Sequence, residues 1–68
     1  MSERFEAHHE HRTYYFYIVS KEPEELKITM YNTPYTFIKQ DHHWVNHPGN
    51  AMNMVEALIY AVILAAGY

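Results

Sequence analysis

Six histidines in 68 residues are the first feature able to carry chemistry. They form two clusters, His8, His9 and His11 near the start and His42, His43 and His47 further along. Neutral imidazole binds Zn²⁺, Cu²⁺ or Ni²⁺. Glu6 and Glu10 place oxygen ligands beside the first cluster. A composite site from His8, His11, His42, His43 and His47 is therefore the metal-binding reading of this chain. The spacing opposes it, because no two histidines flank a helical glutamate. Cys is absent, which excludes thiolate zinc sites together with disulfides. Histidines in polar segments are ordinarily solvated, so no resident cofactor is expected.

Nucleophilic catalysis needs a hydroxyl or thiol beside an activating base. Ser2, Thr13, Ser20, Thr29, Thr33 and Thr36 stand in no recognisable nucleophile context. Asp41 next to His42 imitates part of a relay, but adjacent residues in a turn make that coincidence cheap. The carboxylates of Glu22, Glu24 and Glu25 form a solvated charge run. Gly49 and Gly67 are the only glycines, so no loop cradles a phosphate. The expectation is a protein that is not an enzyme.

A third set of residues points to binding instead. Tyr15, Tyr17 and Tyr31 combine large apolar rings with hydroxyls that can stay wet, as contact surfaces require. Aromatic platforms that stack bases come with basic surroundings. Here the net charge is −3 and only five Lys and Arg are present, all scattered. Nucleic acid is therefore not an expected partner.

The elements that must position these residues follow from pattern. Residues 1–11 are polar apart from Phe5 and Ala7 and predict a flexible arm. No basic start leads into an apolar run, so no secretory signal is expected, and the lack of Cys fits the expectation of a cytoplasmic home. Residues 12–46 predict the sheet. Tyr14 to Val19 is aromatic and β-branched, and Leu26 to Tyr31 alternates cleanly with Leu26, Ile28 and Met30 on one face. Asn32-Thr33-Pro34 predicts a turn, Tyr35 to Gln40 a third strand, and Asp41-His42-His43 a tight turn without glycine. In that turn Asp41 or a histidine must take a positive φ. A short fourth strand follows at Trp44 to Asn46. Residues 50–66 predict a helix capped by Asn50 and ended by Gly67. The fold class is α+β: a three- or four-stranded antiparallel meander packed against one C-terminal helix, in a single small domain. The strand-strand-strand-helix order looks like that of many small bacterial proteins, and no motif singles out a family.

The helix is more apolar than one packing face requires. Ala51, Met54, Val55, Leu58, Ala61, Val62 and Ala65 share the side assigned to the sheet, which leaves Ile59, Tyr60 and Ile63 facing outward. A membrane tail is the least favoured account of this excess, because the segment is shorter than a span and is interrupted by Asn53 and Glu56. Either the curved sheet and N-terminal arm wrap most of the helix, or a second copy or another protein covers it; the second copy is the expectation, since oligomerisation is a usual remedy for a small core. The reading is a non-catalytic interaction domain that self-associates as a homodimer. Its contact residues are Tyr15, Tyr17, Tyr31, Ile59, Tyr60 and Ile63. Predicted core residues are Phe16, Ile18, Leu26, Ile28, Met30, Phe37, Val55, Leu58 and Val62.

Overall fold

Three of the four hairpins turn on two residues that both have positive φ. They are Glu10 and His11 (49° and 64°), Tyr31 and Asn32 (50° and 63°), and Asp41 and His42 (49° and 67°). Positive φ at both central positions defines the turn whose twist matches paired strands, and here it is reached without glycine. The computed structural model describes residues 3–68. Strands β1 (Arg4–His9), β2 (Arg12–Glu22), β3 (Glu25–Met30), β4 (Thr33–Gln40) and β5 (His43–Asn46) precede one helix, α1 (Glu56–Ala65). The strands lie in sequence order, each antiparallel to the last, and curl into a half-barrel. The expected α+β meander with a C-terminal helix is thus the observed fold, with one more strand.

That extra strand corrects the N-terminal reading. Residues 4–9 pair along their whole length with β2, from Arg4 opposite Tyr17 to His9 opposite Arg12. Phe5 stacks on Phe16 with ring centroids 5.6 Å apart, and Ala7 is buried opposite Tyr14. Met1 and Ser2, the first two residues of the predicted arm, lie outside the described residues. The turn after β3 also starts earlier than predicted, at Tyr31, so Thr33 and Pro34 belong to β4. Residues flanking a two-residue turn exchange both backbone bonds, and the next pair exchanges none. Pro34, opposite Thr29, occupies that next position, so its missing N–H costs no bond to β3.

Inside the half-barrel, Phe16, Phe37, Leu26 and Ile28 are fully buried beneath Ile59 and Val62 of the helix. The helix packs chiefly on β1 and also on β5, the two unpaired edges of the meander. It closes the gap between them. Its buried residues are Leu58, Ile59, Val62 and Ile63, and Val55 is 62% exposed. The helix is therefore rotated about its axis from the predicted orientation. Ile59 and Ile63 belong to the core and are not contact residues, and Val55 is not a core residue.

The helix begins five residues later than predicted because asparagines hold the segment before it. Asn46 Oδ1 accepts from the Met54 N–H at 3.0 Å, while its Nδ2 donates to the Met54 carbonyl at 2.9 Å. Asn50 makes the same paired contact with the backbone of Thr36, at 2.9 Å for each bond. Asn50 consequently caps no helix. Extended Val55 takes the N-cap place, with no side-chain bond. Asn side chains compete well for backbone groups, and Asn50 here continues the pairing along the edge of β4 where β5 has ended.

At the other end of the half-barrel the last residue is tied down. Gly67, at φ 96°, turns the chain so that the Tyr68 hydroxyl donates to the carbonyls of Glu22 and Glu25. The Tyr68 ring packs against Trp44 at 4.8 Å, and the Lys21 ammonium lies 5.2 Å from its centre. A bulge in β2 makes that possible. Val19 is skipped between the pairs Ile18–Ile28 and Ser20–Lys27, which swings Lys21 to the inner face opposite Leu26.

Burial pushes the Tyr68 hydroxyl above its ordinary value of 10.0, and the charge of Glu22 adds to the effect. The folded state thus holds this proton more tightly than the unfolded chain does. The stabilisation is complete below pH 10 and is lost as pH rises through the folded value. Denaturant midpoints measured from pH 8 to 11 are expected to fall more steeply for the wild type than for Tyr68→Phe. Parallel curves would refute the assignment.

Candidate functional site

The outer face of the sheet collects the tyrosines. Along the meander, Arg4 of β1 stands opposite Tyr17 of β2, and Tyr17 stands opposite Thr29 of β3. Tyr15, two residues before Tyr17, shares its face, and Tyr31 leaves the end of β3 beside it. Strand alternation alone puts these side chains away from the core. With Asn32 they line a cavity of about 280 Å³. Tyr15, Tyr17 and Tyr31 are 36%, 43% and 63% exposed.

Two contacts organise the face. The Tyr15 N–H donates to the Tyr31 hydroxyl oxygen at 3.3 Å, which gives that amide a partner beyond the end of the β2–β3 ladder. The Arg4 guanidinium lies 4.4 Å from the centre of the Tyr15 ring, within cation–π range. Tyr15, Tyr17 and Tyr31 therefore come together as the sequence predicted. Arg4 was missed because it was assigned to the arm. Its signal was present, since Arg4-Phe5-Glu6-Ala7-His8 alternates polar and apolar with the period of a strand.

The remaining predicted residues lie elsewhere. Ile59 and Ile63 are buried, as described above. Tyr60 is half-buried, and its hydroxyl is 3.2 Å from His43 Nδ1, a bond that ties the helix to β5. The histidines do not converge. His11 is in the β1–β2 turn and His42 in the β4–β5 turn, which a meander of up-and-down strands places at opposite ends of the sheet. His8 Nδ1 is 3.2 Å from Thr13 Oγ1, and His47 Nδ1 accepts from the Gly49 N–H at 2.8 Å. Among the described residues no three His, Asp or Glu side chains are grouped as metal ligands. The composite metal site drawn from both clusters is therefore not formed.

Nor does a catalytic arrangement emerge among the described residues. His8 with Thr13 is a hydroxyl–imidazole pair, but an exposed one, and it lines none of the depressions described here. A depression of about 460 Å³ lies between the β2–β3 and β4–β5 turns and is lined by Pro23, Glu24, Lys39, Asp41 and His42. All five are exposed, and no side-chain hydrogen bond orients Asp41 or His42. A depression of about 360 Å³ is lined by the Asn50 and Pro34 region, where Asn50 is occupied by Thr36. The tyrosine face is the smallest of the three but has aromatic walls and a cation with no acid within ion-pair distance among the described residues.

No helix of the described residues is long and apolar enough to cross a membrane. Comparison with protein-family models, with curated proteins and with solved structures finds no match.

Proposed function

We propose that this chain is a non-catalytic protein-interaction domain whose contact surface is the outer tyrosine face of the sheet. The observation that carries the reading is the juxtaposition of Tyr15, Tyr17 and Tyr31 around one cavity, with Arg4 stacked at its edge. Exposed tyrosines on a rigid sheet offer large contact area at low side-chain entropy cost, and Tyr and Arg are enriched among residues that dominate binding energy. Lack of Cys fits a cytoplasmic setting.

Panning a random peptide library against the wild type and against a Tyr17→Ser, Tyr31→Ser double variant tests the assignment. Sequences enriched on the wild type are expected to lose binding to the variant. Both side chains lie outside the core, so each change is expected to cost about 1 kcal/mol and leave the domain folded, which circular dichroism checks. Enrichment that survives both changes would reject this face.

Ile59 and Ile63 are buried and offer a second copy nothing, so within this reading a homodimer uses the tyrosine face. Light scattering over a dilution series of both proteins tests it. A dimer lost in the double variant makes the second copy an occupant of the face.

A further inference from the structure

The cavity on the tyrosine face is lined by one charged side chain, Arg4, and by no carboxylate. Among the described residues no acid lies within ion-pair distance of Arg4. Glu6, two residues along β1 on the same face, is exposed and makes no such pair either. Instead the guanidinium rests on the Tyr15 ring, 4.4 Å from its centre. With no acid within ion-pair distance among the described residues, its N–H groups remain available as the planar fork that matches a carboxylate. Stacking also restricts the side chain before any ligand arrives, so less freedom is lost on binding. Beside that fork, the rings of Tyr17 and Tyr31 and the side chain of Thr29 form a floor that is apolar with hydroxyls attached.

Resting on the interaction reading above, we propose that the face recognises an acidic peptide segment. A Glu or Asp carboxylate is taken by the edge of Arg4, and a neighbouring aromatic or aliphatic side chain lies on Tyr17 and Tyr31. The complementarity is local. The protein as a whole carries −3, so a strongly acidic partner is repelled at long range and a single carboxylate next to an apolar residue is the best-matched pattern. The cavity of about 280 Å³ accommodates one or two side chains and no extended ligand.

Two capped tetrapeptides identical except for Phe-Glu or Phe-Gln at the centre test this against isotopically labelled protein by nuclear magnetic resonance. The Glu peptide is expected to shift the amides of Arg4, Tyr15, Tyr17, Thr29 and Tyr31. It is expected to bind about fivefold more tightly than its Gln twin, an advantage typical of a partly exposed charge-assisted contact. Arg4→Gln, a change on an exposed side chain, is expected to abolish that advantage. Equal binding of the twins at this face would overturn the carboxylate assignment and leave the contact surface standing. Shifts from neither peptide at this face would overturn both.

Discussion

Replacing Ile63 with Glu is expected to unfold the domain, not to separate two copies of it. Ile63 is 5% exposed, within the cluster that includes Phe16, Leu26 and Val62. The change removes a buried aliphatic side chain, worth roughly 1.5–3 kcal/mol, and forces a carboxylate into the same space at a cost of several more. Native domains have only about 5–15 kcal/mol in hand, and a chain this short is at the low end. Leu64, the next residue, is 73% exposed, so Leu64→Glu is expected to shift stability by no more than about 0.5 kcal/mol. Urea melts followed by circular dichroism decide the matter. A folded Ile63→Glu protein with the wild-type midpoint would mean that the helix is turned the other way.

Deleting residues 1–9 is expected to be as damaging. The helix rests chiefly on β1, so without that strand Leu58, Ile59, Val62 and Ile63 lose much of their cover. Half-exposing four such side chains forfeits roughly 3–6 kcal/mol. The sheet also loses the stack of Phe5 on Phe16 and the burial of Ala7. The truncated chain is expected to give no cooperative thermal transition and to bind a dye for exposed apolar surface. A flexible arm would be dispensable, so a truncated chain that melts like the full-length protein would exclude the strand.

These two experiments address the places where pattern reading and structure part. β1 was legible as alternation but contained only two apolar residues, Phe5 and Ala7, and three histidines stood in or beside it. Polarity outweighed period. The structure accepts so polar a strand because its outer face is solvated and only Phe5, Ala7 and His9 turn inward. The helix was misread for a different reason. An apolar segment with weak amphipathicity does not specify which side is buried, and the start of the helix was hidden by two asparagine contacts between residues 8 and 14 positions apart. Of the candidate site, three tyrosines were legible from strand alternation and Arg4 was not, because its neighbour Tyr15 lies across a hairpin.

Local chemistry determined the β4–β5 turn and the alternation of faces. A tight turn without glycine at Asp41-His42, clean alternation in Leu26 to Tyr31 and the aromatic density of Tyr14 to Val19 act over a few residues, where dihedral preference and pleat leave little choice. The absence of Cys and the scatter of the basic residues likewise limited the chemistry before any fold was known. Tertiary structure alone decided how far the sheet curls, and so whether one helix could be covered without a partner. It also separated the two histidine clusters and brought Arg4 over Tyr15. Those outcomes depend on the summed twist and register of five strands, which no local pattern encodes.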